Sequence, residues 1–191
     1  KSFNLENLFD LHKINVDGVW SKNGLYLEFD KKELELISKE NFDCIIRCGD
    51  GILKGKILNL PRFGILSFYH GDNRFNRGGP SGFWEVFKNE PSTGFIIQRL
   101  TNQLNGGDIL FRGNIRTESN FTMNHAQLLE KSNFFFKKIL DELVLNGRLE
   151  TDKSPVFYNE NNLKIKNSII LFKYLYKIFF PLIIKNIARK L

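Results

Sequence analysis

The segment "FGILSFYHGDNRFNRGGP", residues 63–80, contains the strongest fold signal in the chain. Its first half is an apolar run around Ile65, Leu66 and Phe68, which is typical of a buried strand. From His70 to Pro80 the sequence becomes polar and rich in glycine, which is typical of a loop. A buried strand that leads directly into such a loop predicts an α/β sheet with a functional loop at the strand end.

The segments on either side repeat this alternation of strand and helix. Three further stretches are predicted strands: "FDCIIRC" at 42–48, "STGFIIQRL" at 92–100 and "ILFRGNIRT" at 109–117. Between them, "KKELELISKEN" at 31–41 and "SGFWEVFKNE" at 81–90 are predicted helices, and "ILKGKILNLP" at 52–61 is a short helix or turn. This order favours an α/β sheet whose strands are joined by crossover helices.

Local signals place several element boundaries. Asp30 is a predicted N-cap for the helix that follows it, and Gly147 is a predicted stop for a long helix over Met123–Asn146. Residues 1–30 contain the turn pairs Asp17-Gly18 and Asn23-Gly24, which predict short extended pieces.

The distribution of charge divides the chain into a neutral body and a basic tail. The net charge is +7, but from Leu163 onward there are seven Lys or Arg residues and no acidic residue. The remaining 21 basic residues equal the 21 acidic residues. We assign residues 1–150 to one α/β domain and 151–191 to a basic tail, and the neutral body argues against a nucleic-acid partner.

The two cysteines, Cys44 and Cys48, are too few for a disulfide framework or a zinc site. We interpret both as reduced, mostly buried thiols, and we expect no bound metal. Reduced thiols favour a cytoplasmic protein.

Three glycine-containing loops follow predicted strands and are candidates for one site. They are residues 49–51, 70–80 and 104–108. In open α/β sheets, ligands bind beyond the carboxyl ends of the strands, so loops in these positions are expected to converge.

The order of these segments resembles the catalytic domain shared by methionyl-tRNA, glycinamide-ribonucleotide and sugar-amine formyltransferases. "LSFYHGDNRFNRGGP" has the family's spacing between a strand end and an Arg-Gly pair, and "STGFIIQRLTNQLNGGDIL" is similar to its "TG … LD-x-G-x-I-L" segment. The similarity covers about residues 29–115, and the fragment "SF-x-HGD" resembles a divergent, often sugar-related branch. The resemblance implies a Rossmann-like sheet whose N-terminal half is missing here, with C-terminal helices. The chain, which begins at Lys1, is then expected to be a piece of a longer protein.

The resemblance also implies a chemistry and a set of catalytic positions. Family members transfer the formyl group of 10-formyltetrahydrofolate to an amine, using Asn and His to stabilise an oxyanion and Asp to move a proton. Those three positions fall on Ser67, Tyr69 and Asn105, so all of them depart from the family pattern. His70 is then a candidate replacement for the histidine, and either Asp72 or Asp108 is a candidate replacement for the aspartate.

Further positions are implied to border the folate co-substrate: Ile52, Leu53, Asp72, Arg77 and Gly78. The alternative is that none of the five binds a ligand: Ile52 and Leu53 would then be core residues, and the other three would be ordinary loop residues. Strand alternation points His70 away from Tyr69 unless the glycine loop redirects it.

Two functions stay open on this basis. One is a formyltransferase that uses a small amine acceptor, either an amino sugar or an aminoacyl-tRNA. The other is a catalytically degenerate copy that binds or scaffolds, because Asn105 cannot act as a base and the strand end is altered.

The tail "LKIKNSIILFKYLYKIFFPLIIKNIARKL", residues 163–191, has three interpretations. Its Lys and Arg residues recur at spacings that place most of them on one helical stripe opposite apolar residues. Such a helix lies either in a membrane interface or against the domain or a partner. The third interpretation is that the basic residues bind a phosphate-rich substrate or RNA. Lys173, Lys177 and Pro181 make it a poor membrane span. The oligomeric state does not follow from the sequence.

Overall fold

The computed structural model describes residues 12–49, 51–75, 79–102, 107–152 and 168–176. Two sheets and three named helices make up this part of the chain. The strands are β1 (Val19–Trp20), β2 (Tyr26–Glu28), β3 (Ile45–Arg47), β4 (Ile52–Leu53), β5 (Ile65–Tyr69), β6 (Ser92–Arg99) and β7 (Asp108–Arg116). The helices are α1 (Lys31–Lys39), α2 (Phe83–Lys88) and α3 (Phe121–Asn146), with a 3-10 turn at Lys56–Asn59 and a further helix over 168–176.

Local sequence signals explain where the helices begin and end. Asp30 caps α1 through a reciprocal pair of hydrogen bonds with Glu33, 2.9 Å and 3.1 Å long, as the sequence predicts. The long helix α3 begins after Asn120, whose side chain accepts from the amide of Met123, and ends at Gly147 in the left-handed conformation. The predicted stop at Gly147 is therefore confirmed.

The main sheet has the order β3-β5-β6-β7, and it is mixed. β3 pairs in parallel with β5, as expected for strands joined by a crossover, but β6 and β7 run antiparallel to their neighbours. The expected crossover helices are therefore absent after β5. The six residues of α2 span only about 9 Å, too little to carry the chain back along an eight-residue strand. The link 100–107 is likewise shorter than the dozen or more residues that a parallel crossover requires.

The segment at 52–61, expected as a helix or turn, divides into β4 and the 3-10 turn. β4 pairs in parallel with β2, and β2 pairs with β1, giving the second, three-stranded sheet. This small sheet confirms the short extended pieces expected before Asp30, and it places Ile52 and Leu53 beside the main sheet.

Hydrophobic clusters cover both faces of the main sheet. Ile65 and Leu66 are each fully buried, and because neighbours on a strand point to opposite faces they enter different clusters. Ile65 packs with Ile37 of α1 and the 3-10 turn, whereas Leu66 packs with Phe136 of α3. We call these two sides the α1 face and the α3 face. They form the layered α/β core that the sequence predicts.

Two expectations about burial differ from the structure. Among the described strands β3 lies at the edge of the main sheet, and Ile46 is 43% exposed although the apolar run at 42–48 is typical of a buried strand. Cys48 is exposed and Cys44 is half-buried, and both thiols are free. Burial, followed by the charge of Asp43, raises the pKa of the Cys44 thiol. Among the described residues, no helix has the length and hydropathy needed to cross a membrane.

Candidate active site

A cleft of about 240 Å³ opens on the α1 face of the main sheet, beneath the small sheet. The chain segments around it are the ends of β3 and β5, the strand β4, and the link between β6 and β7. Its described lining consists of Tyr26, Arg47, Gly51, Ile52, Leu53, Lys54, Ser67, Phe68, Tyr69, Gln98, Leu100, Thr101, Asn102 and Gly107. Four residues predicted from the sequence therefore lie together here: Ser67, Tyr69, Ile52 and Leu53.

The floor of the cleft is a row of polar residues on three adjacent strands. Ser67 is the register partner of Arg47 on β3 and of Gln98 on β6. Register partners on neighbouring strands point to the same face, so the guanidinium, hydroxyl and amide share one side of the sheet. Ser67 is buried, and its hydroxyl donates a long hydrogen bond of 3.3 Å to the carbonyl of Phe68. A hydroxyl rotates freely about its bond, so it can turn this donor to a ligand.

Tyr69 lies two residues beyond Ser67 and points to the same face, opposite Ile96 on β6. Two hydroxyl donors therefore follow each other along one edge of the cleft. Aliphatic side chains form another part of the wall, since Ile52 and Leu53 on β4 also line it. This combination of apolar wall and few polar groups is typical of a small-molecule site.

Two cations complete the described lining. The Arg47 guanidinium donates a hydrogen bond to the carbonyl of Gly51, which holds it across the turn after β3. The ammonium of Lys54 lies 5.1 Å from the ring centre of Tyr26. Positive charge at a cleft of this size favours a ligand with an anionic end.

His70 lies on the opposite side of the sheet. Its ring stacks on Phe68 at 5.4 Å, and its Nε2 is 3.0 Å from the hydroxyl of Ser132 on α3. Burial, followed by the charge of His125, lowers the pKa of His70. The glycine loop does not redirect this ring: the alternation along β5 continues to His70, and the structure separates it from Ser67 and Tyr69.

Asp72 anchors the loop that follows β5. Its carboxylate accepts hydrogen bonds from Arg74 and, at 3.2 Å, from Arg112 on β7. Burial by itself raises the pKa of Asp72, but the hydrogen bonds and charges of the two arginines outweigh it and lower that pKa overall. The Asp72 Cβ also packs against Gly94 of β6, where an added Cβ would lie only 2.6 Å away. Asp72 is not among the residues that line the cleft.

Asp108 is engaged at the start of β7. The Arg99 side chain donates hydrogen bonds of 3.0 Å and 2.6 Å to one of its carboxylate oxygens. Asp108 does not line the cleft, although its neighbour Gly107 does. Three further predicted positions, Asn105, Arg77 and Gly78, lie outside the described residues.

Of the three loops expected to converge, two contribute described residues to the cleft. Gly51 comes from the loop after β3, and Gly107 comes from the link before β7. The described part of the loop 70–80 contributes none. Sequence reasoning missed Arg47, Lys54 and Gln98. Arg47 and Gln98 had a readable signal, because each is a polar residue that interrupts an apolar strand segment.

No protein-family model matches the chain. In sequence it is similar to a methionyl-tRNA formyltransferase of Clostridium tetani, with 26% identity over 121 residues, which is 62% of this chain. The chain spans about two fifths (39%) of the length of that relative.

Solved formyltransferases share its architecture. The formyltransferase PseJ of Anoxybacillus kamchatkensis, in complex with UDP-4,6-dideoxy-4-formamido-L-AltNAc and tetrahydrofolate, superposes with a TM-score of 0.55 at 20% identity, over 78% of this chain and 75% of that one. A 4-N formyltransferase of Francisella tularensis gives a TM-score of 0.57 at 21% identity, over 78% and 65%. The chain therefore has the fold of the formyltransferases and resembles that family in sequence.

Proposed function

We propose that this chain binds 10-formyltetrahydrofolate in the cleft on the α1 face and transfers its formyl group to an amine. The observation that carries the proposal is the placement of Ser67 and Tyr69, two hydroxyl donors on one edge of a cleft whose wall includes Ile52 and Leu53. The fold shared with formyltransferases supports it.

The reaction needs hydrogen-bond donors more than it needs a nucleophile from the protein. The lone pair of the acceptor amine attacks the formyl carbon, and the carbonyl oxygen becomes an oxyanion. The bond from the formyl carbon to N10 of the folate then breaks, N10 takes up a proton, and the amine loses one. In this proposal the hydroxyls of Ser67 and Tyr69 donate to the oxyanion, since donors aimed at developing charge lower the barrier.

The described lining fits a folate in charge and polarity. The Ile52–Leu53 strand would border the flat pterin ring, and Arg47 with Lys54 would attract the carboxylates of the glutamate end. The cleft volume lies just below the range of about 300–1,000 Å³ that is usual for ligand pockets. A folate would therefore place its ring system inside and extend the rest of the molecule outward.

The proposed acceptor is an amino sugar carried by a nucleotide. A formyltransferase with this fold was solved with a UDP-linked formamido sugar, and the "SF-x-HGD" segment resembles a sugar-related branch. An aminoacyl-tRNA is the competing acceptor, because the relative in sequence is a methionyl-tRNA formyltransferase. Catalytic roles for His70, Asn105 and Asp108, and folate contacts for Asp72, Arg77 and Gly78, stay predictions.

One observation favours a second candidate function, a folate- or sugar-binding scaffold without turnover. No Asp, Glu or His is among the described residues that line the cleft. The family's aspartate position is Asn105, an amide that cannot accept the amine proton. A protein that keeps the donors and lacks the base would bind and not turn over.

The test is tetrahydrofolate release, followed by absorbance, with a panel of nucleotide-linked amino sugars and methionyl-tRNA as acceptors. Ser67→Ala is expected to lower kcat by about 10- to 100-fold through loss of an oxyanion donor. Ser132→Ala is the matched control, because that serine is equally buried but on the α3 face. Release by the wild-type chain that Ser67→Ala leaves unchanged would contradict the proposed role of Ser67.

Asn105→Asp separates the two candidate functions. If the wild-type chain binds a folate analogue without turnover and Asn105→Asp gains turnover, the chain is a degenerate copy with an intact cleft. If neither protein binds the folate analogue, the formyltransferase proposal and a folate-binding scaffold are both wrong.

A further inference from the structure

Tyr174 holds the helix over 168–176 against the domain. The Tyr174 hydroxyl accepts a 2.8 Å hydrogen bond from the amide of Phe121, the first residue of α3. Its ring lies 5.0 Å from the ring of Phe83 on α2, and the residue is only 8% exposed. Ile170 packs against the same cluster. One side of this helix is therefore held against the α2–α3 junction, which sets the direction in which its other sides point.

Those other sides are strongly apolar and exposed to solvent. Phe172 is 71% exposed, Ile169 59% and Tyr176 55%. These three positions are spaced by three and four residues, so they lie along one stripe of the helix. Leu171 and Leu175, four residues apart, widen the apolar surface. A contiguous exposed surface of this kind marks an interaction site rather than ordinary scattered exposure.

Charge identifies the kind of partner. From Leu163 to the last residue the sequence carries seven Lys or Arg residues and no Asp or Glu, and Lys173 lies within the described helix. A second copy of this helix would bring the same positive charge towards itself, which disfavours self-association through this surface. An anionic surface is complementary, and a lipid bilayer also accepts the aromatic and aliphatic side chains.

We propose that the helix over 168–176 docks the protein onto an anionic lipid surface. Ile169, Phe172 and Tyr176 enter the boundary between headgroups and acyl chains, while the basic residues of the tail attract the lipid phosphates. Tyr174 keeps the helix attached to the domain, so the whole α/β body is carried to the membrane. This inference does not depend on the reaction proposed for the cleft.

The experiment is co-flotation of the full chain with vesicles of phosphatidylcholine alone or mixed with phosphatidylglycerol. The double variant Ile169→Asp/Phe172→Asp is compared with Val144→Asp/Leu145→Asp. Val144 and Leu145 on α3 are 83% and 81% exposed, so the control makes the same charge change on exposed apolar residues elsewhere. Thermal unfolding followed by circular dichroism checks that both variants are folded.

We expect wild-type chain to float with the anionic vesicles, to float much less with phosphatidylcholine alone, and to be released by salt. The Ile169→Asp/Phe172→Asp variant should bind the anionic vesicles at least about tenfold more weakly, because two apolar side chains that would insert into the bilayer are replaced by charged ones. The Val144→Asp/Leu145→Asp variant should bind like wild type. Equal weakening by both variants, or no flotation of the folded wild-type chain, would overturn the proposal. The proposal would also be overturned if the wild-type chain self-associates in sedimentation and only the Ile169→Asp/Phe172→Asp variant abolishes that self-association.

Discussion

Nε2 of His70 and Oγ of Ser132 form a hydrogen bond of 3.0 Å across the α3 face of the sheet. The Ser132 hydroxyl also lies 3.0 Å from the carbonyl of Leu129 in its own helix. This geometry favours a role for His70 in joining β5 to α3.

The first prediction concerns how the free energy of unfolding depends on pH. The folded-state pKa of His70 lies below its ordinary value of about 6.5, first because of burial. As the pH falls through 6.5, the unfolded chain takes up a proton that the folded chain does not, so the free energy of unfolding decreases until the pH reaches the folded pKa. Above 6.5 this group adds no pH dependence. Urea unfolding at several pH values should show that the free energy of unfolding falls less below pH 6.5 for His70→Gln than for the wild type. An identical decrease in both proteins would show that the pKa of His70 is not lowered in the folded state.

The second prediction separates the two causes of that shift. His125→Gln removes the positive charge that acts on His70 but leaves the ring equally buried. The pKa of His70, followed by its ring-proton chemical shifts, should therefore rise only part of the way towards its ordinary value. A complete return of the His70 pKa would mean that charge, not burial, is the larger cause.

The third prediction explains the glycine of the "TG" segment. An added Cβ at Gly94 would lie 2.6 Å from the Cβ of Asp72, so Gly94→Ala must displace the loop that Asp72 anchors to Arg112. We expect a loss of about 1–3 kcal/mol in the free energy of unfolding. Gly49→Ala is the control, since nothing lies within 4 Å of an added Cβ there. If both variants are equally stable, the close approach of Asp72 to β6 is wrong.

The fourth prediction concerns Asn124, which is fully buried near the start of α3. Its amide donates a 2.8 Å hydrogen bond to the carbonyl of Gly82, and its oxygen accepts one of 3.0 Å from the amide of Glu118. Asn124→Ala leaves these buried groups without their partner, so we expect about 3 kcal/mol of destabilisation. Asn146→Ala, at an exposed position of the same helix, should change the stability by less than about 0.5 kcal/mol. Similar effects of the two changes would show that the network contributes nothing.

The elements predicted best from the sequence are those whose signals are local. Asp30 and Gly147 mark helix boundaries because a cap needs only residues within one turn. The alternation along β5 likewise places Ser67 and Tyr69 on one face and His70 on the other.

Strand direction was not predictable in the same way. Whether β6 runs parallel or antiparallel to β5 depends on how far α2 carries the chain, and so on the length of a helix whose boundaries the sequence leaves loose. The row formed by Arg47, Ser67 and Gln98 depends in turn on strand register, which joins residues far apart in the sequence. Ser67 was predicted through the family resemblance, whereas for Arg47 and Gln98 the available signal was their polar character within apolar segments.

The most direct test of the central claim, that the cleft on the α1 face holds a folate, is isothermal titration calorimetry with a stable 10-formyltetrahydrofolate analogue. Ile52→Asp places a charge in the cleft wall, and Ile46→Asp is the matched control, because the two side chains are 37% and 43% exposed and Ile46 does not line the cleft. We predict binding by the wild-type chain and by Ile46→Asp, and at least about tenfold weaker binding by Ile52→Asp. Equal binding by both variants, or no binding by the folded wild-type chain, would contradict the claim.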